Sequence, residues 1–168
     1  MAGASIRIEF DDARIRAALQ RLIDVGQHPR EAMQDIATLG ENSTRERFHT
    51  ETGPDGKRWT PIKQIGFRKK QLRKDGRIRK SAINYVLGRK ILTKDGHLGD
   101  SLGSRAGATF AEWGVNRIYA AIHQFGGQAG RGLRSKIVAR PYLGINAGDE
   151  ADILDILQRR IEAAAAAS

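Results

Sequence analysis

The sequence predicts a single domain that mixes α-helices with short β-strands. Three observations lead there. Residues 5–10 alternate Ile6, Ile8 and Phe10 with Arg7 and Glu9, the period of a half-buried strand. Three stretches, at about 12–25, 29–50 and 149–162, instead place apolar residues at helical spacing. The chain has 168 residues, 40% of them apolar, enough for one core without disulfide or metal support, and no linker or repeat divides it.

In chain order, Asp11 or Asp12 offers an N-cap to a first helix carrying Ile15, Ala18, Leu19, Leu22 and Ile23, stopped by Gly26. Pro29 suits a first helical position, and Met33, Ile36, Ala37 and Gly40 form the stripe of a longer helix reaching about residue 50. Residues 51–61 form a turn segment in which Pro54, Asp55 and Gly56 supply fixed φ, a side-chain acceptor and permitted positive φ. Within 62–90 a break falls at Asp75–Gly76, followed by a short helical stripe from Ile78 through Ala82, Ile83, Val86 and Leu87 to Gly88. A short strand is expected at Ile91–Leu92, one or two helical turns at 97–102, a strand at 108–115 and a helical turn at 118–125. Residues 126–133 hold four glycines in eight positions and read as a flexible loop, before a candidate strand at 137–139. Asp149 or Glu150 opens the last helix, with Ile153, Ile156, Leu157 and Ile161 on one face, and residues 163–168 are expected to fray.

Charge is unevenly distributed. The chain carries 29 Lys and Arg against 19 Asp and Glu, a net charge of +10. Residues 51–105 hold 15 basic and 5 acidic residues, so this stretch alone matches the whole excess. Residues 62–90 concentrate 11 basic residues against Asp75 alone. Such a segment is a solvated loop, a docking arm for an acidic protein face, or a contact for nucleic acid through counterion release. No helix-turn-helix, zinc-finger or RNA-recognition pattern accompanies it.

Catalytic chemistry finds little support. With no cysteine there are no disulfides, thiolate metal sites or cysteine nucleophiles. His97, Asp100 and Ser101 are triad residue types, but their adjacency in one turn suits capping or surface roles better than a base held against a nucleophile. The four histidines lack a metal-ligand spacing, and no phosphate-loop motif follows a strand. No catalytic residue, metal or cofactor is expected. No apolar run suggests a membrane span, and the first ten residues lack signal-peptide character.

A set of short motifs spans residues 48–144. Phe48 precedes GPDGKRW at 53–59, with Pro61 beyond. ILTKDGHLGDSL follows at 91–102, then Val115, Tyr119–Ala120 and IHQFGG at 122–127, and finally ARPYLGI at 139–145 before one helix. In this order the pieces resemble the Mu-type phage virion morphogenesis family, also called the tail-completion protein S family. The sequence departs from the usual pattern at Asp95, before Gly96, and at Val138 and Tyr142, while keeping turn and aromatic character.

The resemblance implies an α+β fold, tail-terminator-like, with helices packed on an antiparallel sheet and residues 62–90 as a basic extended loop within one domain spanning 1–168. It implies a structural virion protein that completes or terminates the tail and forms the head–tail joining surface, as a homohexameric ring meeting the tail-tube and neck proteins. Heterologous ring interfaces bury aromatic residues and arginine. Trp59, Tyr119, Phe125, Arg140 and Tyr142 are suitable anchors, and for each aromatic a place in the subunit's own core is the competing role. Arg68, Lys69, Lys70, Arg73, Lys74, Arg77, Arg79 and Lys80 would form the docking arm, with non-specific contact to duplex DNA in the channel as a further use. The alternative function is a basic nucleic-acid-binding protein of packaging or transposition.

Overall fold

The computed structural model describes residues 13–24, 29–62, 73–88, 90–93 and 96–166. The strand expected at 5–10, the caps at Asp11 or Asp12, the Gly26 stop, and Arg68, Lys69 and Lys70 lie outside the described residues.

Among the described residues five α-helices follow one another: α1 (Ala13–Asp24), α2 (Arg30–Thr50), α3 (Lys80–Leu87), α4 (Ala120–Phe125) and α5 (Ala147–Ala166). The described residues also hold four strands in two antiparallel ribbons: β1 (Leu102–Ala106) with β2 (Ala111–Val115), and β3 (Gly127–Ala129) with β4 (Ser135–Ile137). The described residues are therefore α+β, with their strands in two small ribbons.

The long helices form where apolar residues recur on one face. Leu22 of α1, Ala32 and Ile36 of α2, and Ile153 and Leu157 of α5 close one core, with Ile156 and Ile161 packed against it. The α5 N-terminus is capped reciprocally. Asp149 N–H donates to Asn146 Oδ1, and Asn146 N–H donates to Asp149 Oδ2, both at 2.9 Å, which satisfies two amides at the helix start. The cap thus falls at Asn146, three residues before the acidic residues that mark the start in sequence. Residues 163–166, expected to fray, are helical, and Ala164 is buried.

A second core lies between α2, the β1–β2 ribbon and the 139–145 segment, and contains Phe48, Trp59, Ile91, Leu98, Leu102, Val115, Ala120, Tyr142 and Leu143. Opposed residues share a ribbon face. Leu102 pairs with Val115 and Ser104 with Trp113, and this face meets α2. The opposite face carries the exposed Arg105–Glu112 pair at 2.7 Å. β1 was not legible, because LGSRA offers no apolar alternation.

Trp113 rests on Gly40 of α2, where a Cβ would enter the indole's van der Waals envelope. An Ala in place of Gly within a helix ordinarily stabilises by about 1 kcal/mol. Here Gly40→Ala is expected to destabilise by about 1–3 kcal/mol through overpacking, read by urea unfolding.

The turns obey their residues. Gly53 N–H donates to the Lys57 carbonyl and Lys57 N–H to Asp55 Oδ1, with Gly56 at φ +73°. The same bonds recur between Arg73 and Arg77 around Asp75–Gly76, so the break expected there is an ordered turn, and α3 follows within the expected helical stripe. Two expectations are corrected. Ile91–Leu92 is a bend, because Leu92 takes φ +60° and the Ile91 amide donates to Glu51 Oε1 at 2.6 Å. Residues 126–133 form β3 and a 3-10 turn (Arg131–Leu133), not a structureless loop, since their glycines permit the tight hairpin.

Candidate interaction surface

The aromatic residues of the motif set are brought together by the chain reversal between 48 and 59 and by the 139–145 segment. Phe48 meets Trp59 edge-on, with ring centroids 5.8 Å apart, and Tyr142 at 5.2 Å. Trp59 Nε1–H donates to the Pro141 carbonyl at 2.7 Å, and the Tyr142 hydroxyl donates to the Ala120 carbonyl at 3.2 Å. Both polar handles are thus satisfied indoors, as buried Trp and Tyr require. Tyr142 is 0% exposed and Trp59 5%, so within the subunit both side chains occupy the core. Burial pushes the Tyr142 phenol well above its ordinary range.

Two residues that the sequence did not single out hold this arrangement. Gln124 is buried on α4. Its Oε1 accepts from the Tyr142 and Leu143 amides at 2.9 and 3.1 Å, and its Nε2 donates to the Leu143 carbonyl at 2.9 Å. Arg47 is buried on α2 and donates to the carbonyls of Tyr142 (3.1 Å) and Gly144 (2.8 Å), to Ser43 Oγ (3.0 Å) and to Asp149 Oδ2 (2.5 Å). Burial draws the guanidinium pKa down, and Asp149 opposes that shift. A glutamine or arginine within an amphipathic helix gives no sequence signal of burial, and only the tertiary partners reveal it.

Arg140 is partly buried. Its Nε donates to the Thr60 carbonyl at 2.9 Å, and its backbone N–H donates to the His123 carbonyl at 2.8 Å. It straps the 59–62 segment to α4, and among the described residues no carboxylate pairs with it. Next to it, His123 Nδ1 is buried without a hydrogen-bond partner among the described residues, and its ring meets Tyr119 at 5.9 Å. Burial, then the Arg140 charge, lowers the His123 pKa. The unfolded chain, with an imidazole pKa of about 6.5, therefore takes up the proton first. This contribution to stability is complete above that value and is lost as pH falls through it toward the folded-state pKa. The melting temperature is expected to drop between pH 7.5 and 5.5, and His123→Gln to flatten that dependence, as read by thermal melts at both pH values.

Tyr119 and Phe125 lie on the outside, 43% and 66% exposed, and Ile118 beside them is 80% exposed. Gly126 ends α4 at φ +75°, where a Cβ would crowd Ala139 N and the Ile137 carbonyl at 2.9 and 3.0 Å. This is the sharp exit that the GG pair suggests. Of the basic set, Arg73, Lys74, Arg77, Arg79 and Lys80 are all exposed on the turn and the start of α3. Among the triad types, Ser101 Oγ–H donates to the Leu98 carbonyl at 2.8 Å within its own turn. Among the described residues no cluster of His, Asp or Glu could hold a metal ion, and no helix is long and apolar enough to cross a membrane.

The described residues thus form a small α+β domain with a closed aromatic core and with aromatic and cationic side chains on its outside. The chain belongs to the phage virion morphogenesis family, which matches residues 10–162. It is 34% identical over 154 residues to the Mu-like prophage FluMu G protein 2 of Haemophilus influenzae, covering 91% of this chain and 94% of that protein. It is 31% identical over 161 residues to the putative capsid assembly protein G of Escherichia phage Mu, covering 95% and 96%. No solved structure matches the chain.

Proposed function

We propose that this protein acts late in particle assembly, completing or terminating the phage tail and forming the head–tail joining surface as a homohexameric ring around the DNA channel. The family match over residues 10–162 is the observation that carries the reading. The capsid-assembly name of the phage Mu relative supports a role in building the particle. Exposed Tyr119 and Phe125 suit a subunit or neck contact, where aromatic residues are enriched. The basic segment 62–90 docks on an acidic face of a tail-tube or neck protein, because a channel lining with strong fixed attraction for DNA would slow its passage. In vitro complementation tests the function. Purified protein added to a lysate lacking it should restore plaque-forming particles, and an unchanged titre contradicts the reading.

The second reading, a nucleic-acid-binding protein of packaging or transposition, is favoured by the exposed run from Arg73 to Lys80. It requires duplex to shift at micromolar protein, with affinity falling steeply as salt rises.

A further inference from the structure

Residues 116–148 contain no Asp or Glu and five Lys and Arg. The near-neutral balance of the C-terminal third hides this block, because the acids cluster in α5. α4 runs directly into the β3–β4 hairpin, whose residues are exposed from 127 to 138 except for half-buried Ala129 and Ile137. The register sets Gln128 opposite Lys136, and Ala129 opposite Ser135. One ribbon face therefore carries Gln128 and Lys136, and the other bears the half-buried Ala129 and Ile137. At the tip, Leu133 sits at φ +54° and 60% exposed between Arg131 and Arg134. No carboxylate pairs with Arg131, Arg134 or Lys136 among the described residues.

We propose that α4 and this hairpin form a docking surface for a second virion protein whose face carries carboxylates around an apolar centre. The inference rests on the assembly role above and assigns a surface distinct from segment 62–90. Charge complementarity selects an acidic partner. A second copy is a weaker fit, because among the described residues several of its exposed carboxylates are ion-paired within their own chain. Glu31 and Asp35 pair with Arg160, Glu112 with Arg105, and Asp155 with Arg159. Duplex DNA is a poor fit as well. Phosphate contacts are made by cations and polar donors, whereas Tyr119, Phe125 and Leu133 expose apolar area that a protein pocket would cover.

The test uses the full chain and two variants, Arg131→Glu/Arg134→Glu/Lys136→Glu and Phe125→Ser, each checked for an unchanged melt. Heads and tails purified from particles made without the protein serve as probes in cosedimentation. Wild type is expected to sediment with one of them, and both variants to bind at least about tenfold more weakly. Equal binding by wild type and both variants overturns the inference and leaves the assembly role standing. Loss of duplex binding in the triple variant, with sedimentation retained, overturns it in favour of a nucleic-acid surface. Failure of wild type to bind either probe or to restore infectivity removes the assembly role, and the inference with it.

Discussion

Replacing Arg47 with methionine is expected to lower the unfolding free energy by about 3–5 kcal/mol, because the buried partner charge is left uncompensated. Arg47 supplies three hydrogen bonds that join α2 to the 142–144 segment and to the start of α5. Its loss leaves Asp149 without its cation, and the Tyr142 and Gly144 carbonyls without donors. Asp149 also caps α5, so the damage reaches both cores. Restoring an apolar pair with Arg47→Met/Asp149→Leu should recover part of the loss, less the value of the cap. Urea unfolding at neutral pH reads both. A loss below about 1 kcal/mol for the single variant would place this pair in the class of exposed ion pairs.

Trp59→Ala is expected to cost about 3–5 kcal/mol, the range for emptying a large aromatic site in a core. The indole fills space against Phe48, and its N–H satisfies the Pro141 carbonyl. Trp59→Phe keeps most of the apolar volume but leaves that carbonyl without its donor, at a cost of about 1–3 kcal/mol. An interface residue would behave differently, with a melt unchanged in both variants and assembly impaired. Thermal and urea unfolding of the isolated protein separate the two roles.

The parts of this fold that local chemistry dictates could be read in advance. α2 and α5 announce themselves through apolar spacing, and the Asp55–Gly56 and Asp75–Gly76 turns through residues that suit no regular element. β1 was missed because Gly103 and Ser104 remove the alternation, and its register comes from Leu102 and Val115 packing on α2. The β3–β4 hairpin read as a loop because glycine content marks turns without saying what they connect. At the site, residue type alone could not sort Trp59 and Tyr142 from Tyr119 and Phe125. All four are motif aromatics, and what separates them is whether a backbone carbonyl waits inside for the polar end or the ring is left on the outside of α4. Arg47 and Gln124 gave no signal, because their partners are carbonyls about 20 to 100 residues away in sequence.

Whether the protein joins or completes the tail is decided by negative-stain electron microscopy of a lysate from a phage lacking this gene. Filled heads beside detached tails are the predicted result, with overlong tails marking a terminator. Normal, infectious particles would contradict the account.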